Sequence, residues 1–355
     1  LAIQGLNSSV GGSDFLIRPT ISVNHTVVAT PIVLNQTSAV VARAYDGQQW
    51  GAPVRANFIV GAELADATNL VISEIMYNPV GPDAAEIAAG FTDGDQFEYF
   101  ELLNISESPL DLNDVTFTSG IEFNFAGAIV TELAPGGRTL IVRNRDAFLA
   151  RYGAGLEAQI SGEFAGDTAL ANNGERLAMS GVAGVIRDFS YNDRYPWPES
   201  PDGDGPSLVL IAPDSNPDHS LGSNWRASAG SMGSAGVGDA VPFAGDPSAD
   251  VDGDGLSAFA EHAFGTSDSN ASAGASVLQA SFGADGRLKI SYPENLAAED
   301  ALIMIELSGD LSSWTPAGEM LDLESEVHNG DGTATFTFES DEPLTPGERI
   351  FVRLK

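Results

Sequence analysis

Short runs in which apolar and polar residues alternate recur along most of this chain and constrain its fold more than any other feature. TVVATPIVL and VRANFIV lie near the N-terminus, and RLKISY, TATFTF and RIFVRL lie near the C-terminus. A period of two residues is typical of half-buried β-strands, and turn residues such as the Asp46-Gly47 pair separate the runs. Together with 39 glycines and 19 prolines, this pattern predicts an all-β fold.

The balance of charge excludes several classes of partner. Fifty acidic residues against sixteen basic ones give a net charge of -34, which repels nucleic acid and anionic membrane surfaces. No apolar run approaches the length of about 18 residues that a membrane span needs. The absence of cysteine excludes disulfides and Cys-ligated zinc. We therefore expect neither nucleic-acid binding nor membrane insertion by this chain.

The first part of the chain carries a family resemblance. The segment TPIVLNQTSAVVARAYDGQQWGAPVRANF, with Pro31, the Ala42-Arg43-Ala44 triplet and Trp50, resembles the end of the small Ig-like domain at the C-terminus of chitobiase-type proteins. A complete sandwich of this type needs about 100 residues. The resemblance implies that residues 1–61 are the C-terminal part of an Ig-like domain and that the chain is a fragment of a longer protein.

The second segment carries the most extensive resemblance. LVISEIMYNP, FEYFELLN, LAPGGRTLIVRN, NNGERLAMSG and WPESPDGDGPSLVLI follow one another between residues 69 and 212. In this order they resemble the lamin tail domain, an Ig-like sandwich common in exported bacterial proteins. The resemblance implies a β-sandwich with a trailing linker over residues 69–236, so the chain is expected to hold tandem Ig-like domains. Residues 80–96 are expected to be a long loop, and RDAFLARYG at 145–153 a short helix closed by glycine.

Two further segments complete the expected organisation. Residues 213–249 have the Gly, Ser, Ala, Pro and Asp content of a linker, and we expect residues 237–275 to be a linker that holds a short helix. Five alternating runs after residue 277 predict a small β-domain over residues 276–355, which resembles C-terminal β-modules of exported bacterial proteins.

The most chemically specific motif is DVDGDGLSAFAE at residues 250–261. Asp250, Asp252, Asp254 and Glu261 occupy positions 1, 3, 5 and 12 of the D-x-D-x-D-G-x5-E pattern, and Leu256 would supply its backbone carbonyl at position 7. Carboxylates this close repel one another unless a divalent cation neutralises them. Hard oxygen ligands without His or Cys select Ca²⁺ over zinc. The sequence therefore predicts a calcium site, with an Asp/Gly-rich solvated linker as the alternative.

The residues around this loop indicate a structural site. Leu256, Phe259, Ala260, Ala263 and Phe264 fall on one face of a two-turn helix that Gly265 would end. The preceding GVGDAVPFAGDPSA contains Gly and Pro and cannot form the entering helix of a full EF-hand. The half-hand resembles dockerin and thrombospondin-type-3 repeats. Since a sensor needs paired hands, we expect this calcium to stiffen a junction between domains.

Other groupings predict no catalytic site. Glu98 and Glu101 fit the alternation of solvent-facing and core residues on a strand. The four histidines, His25, His219, His262 and His328, form no H-x-H or H-E-x-x-H pair, and no G-x-S-x-G elbow or phosphate-binding loop is present. In Asp202-Gly203-Asp204, position 12 would be Pro213, so a turn is favoured over a second calcium. Trp50, Trp197 and Trp314 are expected to pack in cores rather than stack on sugars. We expect that the chain is not an enzyme.

These expectations combine into a non-catalytic extracellular stalk or surface-attachment fragment, stiffened by calcium. If the protein is exported, its signal lies upstream of residue 1, since LAIQGLNSSVGG is not a signal peptide. The expected partners are other surface proteins, polysaccharide or copies of the chain itself. Three alternatives stay open: an accessory tail of an exported enzyme, a carbohydrate-binding module, and a subunit of an extracellular filament or surface layer.

Overall fold

A computed structural model describes residues 38–45, 47–58, 60–271, 277–343 and 349–355. Strands dominate, and the few helices are short, so the prediction of an all-β fold is confirmed. Within these ranges no helix is both long and apolar enough to cross a bilayer.

The N-terminal segment contributes one hairpin, made of β1 (Ser38–Ala42) and β2 (Val54–Phe58), which pair in antiparallel fashion. The predicted Ig-like domain over residues 1–61 lies mostly outside the described residues. Trp50 was expected in a core, but its side chain is 42% exposed and its ring packs only at the edge of the hairpin, 4.7 Å from that of Tyr45. That expectation is wrong for Trp50, because among the described residues its ring lies on a two-stranded hairpin, which has no second layer of its own.

A central body, residues 63–239, contains thirteen strands that form three sheets. In chain order they are β3 (Glu63–Leu64), β4 (Leu70–Met76), β5 (Tyr99–Asn104), β6 (Leu110–Asp111), β7 (Thr116–Ser119), β8 (Phe123–Asn124), β9 (Glu132–Leu133), β10 (Arg138–Val142), β11 (Ile160–Glu163), β12 (Arg176–Gly181), β13 (Gly184–Ser190), β14 (Leu208–Leu210) and β15 (Trp225–Ala227). The sheet orders are β11-β10-β5-β4-β14-β15, β13-β12-β7-β8 and β3-β6-β9, and only β10–β11 and β3–β6 pair in parallel.

The core of the central body lies between the six-stranded and the four-stranded sheet. Phe100 from β5 and Phe117 from β7 bring their rings to 5.4 Å, and Leu177 from β12 is fully buried in the same cluster. Residues on one face of each sheet alternate into this layer. The two sheets therefore pack face to face.

Two short helices lie outside the sheets of the central body. Helix α1 (Ala84–Ala89) lies in the segment predicted to be a loop, where a capping box between Asp83 and Glu86 starts it. Helix α2 (Arg145–Tyr152) is confirmed, and Gly153 follows it. Because α2 packs Phe148 against Tyr99, both faces of the sheet are buried.

The C-terminal body, residues 258–355, begins with α3 (Ala258–Phe264) and has seven strands among its described residues. They are β16 (Gln279–Phe282), β17 (Leu288–Asn295), β18 (Ile305–Ser308), β19 (Thr315–Pro316), β20 (Leu321–His328), β21 (Thr333–Ser340) and β22 (Phe351–Leu354). The sheets are ordered β16-β17-β21-β20 and β19-β18-β22, and they share a small core that includes Leu288 and Leu307. The five predicted runs all contain strands, whereas the acidic strand β20 was not predicted.

The connection between the two bodies is held by an ion cluster. The guanidinium of Arg226, on β15, lies 2.5 Å from a carboxylate oxygen of Asp239 and 2.6 Å from one of Glu299, which belongs to the C-terminal body. All three side chains are at most 13% exposed. Farther along, the Val241 amide donates to the Ala297 carbonyl at 2.7 Å. The segment with linker composition is therefore fastened to both bodies.

Replacing Arg226 tests this connection. We expect Arg226→Met to lower the free energy of unfolding by about 3–5 kcal/mol, because it leaves two buried carboxylates without their cation. Urea unfolding followed by circular dichroism measures the change. The matched control is Arg194→Met, whose side chain is 82% exposed and should contribute within about 0.5 kcal/mol. Equal stabilities for the two variants would contradict the role given to the cluster.

Candidate calcium loop

Three of the predicted ligands come together in the structure. Asp250, Asp252 and Asp254 each place a carboxylate oxygen so that all three atoms lie within 4.8 Å of one another. At this separation the three negatively charged carboxylates repel one another. A cation at their centre would convert this repulsion into attraction.

Glycines and backbone amides build the loop around these carboxylates. Gly253 and Gly255 have φ values of 77° and 97°, a left-handed conformation that side chains disfavour. The Gly253 amide donates to Oδ1 of Asp250 at 2.8 Å, and the Gly255 amide lies 3.3 Å from its Oδ2. The Leu256 amide donates to Asp254 at 3.0 Å. The residues that make the turn thus also hold the carboxylates in place.

Helix α3 carries the last ligand position. Ser257 caps its start by accepting a hydrogen bond from the Ala260 amide at 3.3 Å, and Gly265 ends it in a left-handed conformation. Of the five residues of the predicted apolar face, three pack in a cluster with Tyr292 of β17, namely Leu256, Ala260 and Phe264, whereas Phe259 packs against Phe243. The helix is therefore docked on the C-terminal body and is not part of a free linker.

Glu261 lies on the inner side of this helix. Its side chain is only 1% exposed, one oxygen accepts a hydrogen bond from the Thr266 hydroxyl at 3.1 Å, and Oε2 is buried without a partner. Burial raises the pKa of Glu261, and the charges of Asp252, Asp254 and Asp268 raise it further. Glu261 is therefore close enough to feel the aspartates, although it is not a member of the three-aspartate cluster.

The loop contains a second carboxylate oxygen that lacks a donor. Oδ2 of Asp252 is buried and unpartnered, as is Oε2 of Glu261. A buried anionic oxygen without a donor or cation is costly. Two such atoms on residues at positions 3 and 12 fit a hard divalent cation. The Leu256 carbonyl as a ligand stays a prediction.

Asp268 is a residue that the sequence pattern missed. Its Oδ1 accepts a hydrogen bond from the Val251 amide at 2.8 Å, and its charge contributes to the raised pKa of Glu261. It lies outside the twelve-residue motif, so no spacing rule could have found it. Asp268 closes the loop from the far side of α3.

The chain that enters the loop has no helix, as expected for a half-hand. Residues 236–250 contain only turns and irregular backbone. The Ala258 amide donates to the Ala249 carbonyl at 2.7 Å. The ring of Phe243 meets Phe259 edge-on at 5.3 Å. The entering segment is therefore held against the first turn of α3 by backbone and aromatic contacts.

The buried glutamates of the central body differ from Glu261, because hydrogen-bond donors surround them. Glu74 accepts hydrogen bonds from the Tyr99 hydroxyl at 2.5 Å, from Ser207, and from the Ser234 amide and hydroxyl at 2.7 and 2.9 Å. Glu101 pairs with Arg138. These carboxylates hold residues 230–238 onto the sheet.

The expectation that Glu98 and Glu101 follow an ordinary solvent-and-core alternation is wrong. Both side chains are fully buried. Burial raises the pKa of Glu98 to about 8, and burial and the charge of Glu74 raise the pKa of Glu101 to about 7. One Glu98 oxygen accepts the Leu170 amide at 2.9 Å. Their covering layers come from distant parts of the chain, which local alternation cannot reveal.

The remaining candidates are dispersed. His219 meets the rings of Phe189 and Trp225 edge-on, His262 contacts Asp300 at 3.0 Å, and His328 contacts the Ser228 carbonyl at 3.1 Å; His25 lies outside the described residues. Trp197 is buried as expected, and the half-buried Trp314 packs under the Arg353 guanidinium. Asp202 accepts a hydrogen bond from Asn78 at 2.6 Å, which suits the predicted turn.

Comparison with known proteins gives little further information. No family model matches the sequence, and no curated protein matches it. A solved structure of a DUF4876 family protein from Bacteroides thetaiotaomicron VPI-5482 is similar over 52% of this chain and 78% of its own, at 10% sequence identity and a TM-score of 0.28. So low a score carries no argument about function.

Calcium should stabilise the protein through this loop. We expect added Ca²⁺ to raise the melting temperature and EDTA to lower it, with a gain of about 2.7 kcal/mol at a hundredfold excess over Kd. Asp252→Asn should abolish the response, while Asp285→Asn, on an exposed turn of the same body, should keep it. A melting temperature that changes with neither calcium nor EDTA would contradict the calcium site.

The effect of Glu261→Gln on the free energy of unfolding should differ between EDTA and saturating calcium. In EDTA the substitution removes a buried charge that its neighbours repel, so the variant should be at least as stable as the parent. In saturating calcium it removes a ligand, so the variant should be less stable. Differential scanning calorimetry in both buffers measures the two differences, and a loss of stability in EDTA as large as that in calcium would show that Glu261 has only a packing role.

Proposed function

We propose that the chain is a non-catalytic extracellular structural or adhesive module, a stalk or surface-attachment fragment in which calcium stiffens the junction between two β-bodies. The supporting observation is the position of the loop. Helix α3 is packed on the C-terminal body, and the segment that enters the loop is fastened to both bodies through Asp239 and Val241. A metal that orders the loop would therefore restrain the whole connection.

The proposed identity of the central body rests on its sequence motifs. The β-sandwich packing of residues 63–239 is compatible with a lamin-tail-like, Ig-like domain, and the motifs that suggested it lie on strands β4, β5, β10 and β12. We place the protein outside the cell or at its surface, with other surface proteins, polysaccharide or copies of itself as partners. The acidic composition supports solubility in salty, calcium-containing water.

The edge strand β16 supports association of the chain with further copies of itself. Strand β16 lies at the edge of its sheet, and all four of its residues are exposed, with Phe282 at 65%. Within the described residues no further strand pairs with β16, and a sheet edge with an exposed apolar side chain is a template for strand addition. A filament or surface-layer subunit is therefore the second candidate function.

Distance measurements between two spin labels test the proposed stiffening. The chain contains no cysteine, so cysteines introduced at the exposed positions Val185 and Val327 can carry the labels. We expect a narrow distance distribution in calcium and a broad one in EDTA. With Asp252→Asn the distribution should stay broad in both buffers, whereas Asp285→Asn should behave as the parent. Equal widths with and without calcium in the parent would contradict the proposal.

A further inference from the structure

A cleft with a volume of about 560 Å³ lies between the central and C-terminal bodies. One wall is formed by residues 195–198 with Trp225, and the other by the face of the sheet that carries β17, β21 and β20. Ligand sites in proteins commonly have volumes of about 300–1,000 Å³ and occur between domains. This cleft is separate from the calcium loop.

Aromatic rings line both walls. On the C-terminal side Tyr292 stacks on Phe338 at 5.9 Å with an angle of 12° between the rings. On the opposite side the rings of Trp197 and Trp225 are 5.9 Å apart. Tyr195, 68% exposed, stands at the mouth. Such walls can bury an apolar body and present π-faces to a cation.

Two carboxylates inside the cleft have no cationic partner. Glu294 and Glu326 both line it, and among the described residues no Lys, Arg or His forms an ion pair with either. Arg226, which also lines the cleft, is neutralised by Asp239 and Glu299. Oε1 of Glu326 is buried and lacks any hydrogen-bond donor. The cleft is therefore electronegative as well as aromatic.

The environment of Glu326 shows how unfavourable this arrangement is without a ligand. Burial raises the pKa of Glu326 to about 7, and the charges of Glu294 and Glu199 add to the effect. Burial also raises the pKa of Glu294. Both shifts are those of carboxylates that have lost water and gained no cation. A positive group placed between them would stabilise their charged forms.

This combination selects among ligand classes. Anions would be repelled by the carboxylates. A hydrated metal ion would gain nothing from aromatic walls, and a neutral sugar would leave the negative charge uncompensated. We propose that the cleft binds a small organic cation, an ammonium or guanidinium group on an apolar stem, with the cationic head at Glu294 and Glu326 and the stem between the aromatic walls. This function goes beyond the structural role proposed above.

Calorimetric titration of the full chain in calcium with phenethylamine, a cation at neutral pH, tests the site, with 2-phenylethanol as the neutral probe of similar shape. We expect phenethylamine to bind and 2-phenylethanol to bind at least tenfold more weakly. Glu326→Gln and Glu294→Gln should each weaken phenethylamine binding about tenfold, the loss expected for one charge-assisted hydrogen bond.

Glu324→Gln is the matched control. Glu324 lies on the same strand, is exposed and pairs with Lys289, so the variant should bind phenethylamine as the parent does. The proposal is overturned if both probes bind equally, if phenethylamine does not bind, or if Glu324→Gln weakens binding as much as Glu326→Gln, which would indicate attraction by net charge alone. Binding of cellobiose that the Glu326 and Glu294 substitutions leave unchanged, without phenethylamine binding, would assign the cleft to sugars instead.

Discussion

The fold depends on how an acidic chain satisfies the carboxylates that it buries. In the central body Glu74 receives hydrogen bonds from Tyr99, Ser207 and Ser234, and Glu101 receives a guanidinium. In the calcium loop one oxygen of Glu261 has no protein donor. Since buried anionic oxygens need a donor or a cation, this difference separates structural carboxylates from the predicted ligands.

The need of buried carboxylates for a cation also explains the connection between the bodies. Arg226, one of only sixteen basic residues, is buried where two carboxylates from different parts of the chain converge. The calcium loop lies farther along the same segment and again collects carboxylates at one point. An arginine and a metal would thus act in series, and together they would leave the segment between them little freedom.

Local signals in the sequence predicted the features that depend on neighbouring residues. The three-aspartate cluster, helix α3 and helix α2 follow from spacing, caps and glycines, and the capping box of Asp83 and Glu86 could also have indicated α1. Features made by distant residues were missed. Strand β20 alternates acidic side chains and forms because β21 pairs with it, and Glu101 is buried because residues 230–238 return to cover it.

Isothermal titration calorimetry of the chelator-treated chain with calcium chloride tests whether the aspartate loop binds calcium. We predict one site per chain, whose heat disappears in Asp252→Asn. Magnesium, which demands a tighter octahedral shell, should compete only weakly. The absence of any saturable heat in the parent chain, or a binding isotherm that Asp252→Asn leaves unchanged, would contradict the calcium site.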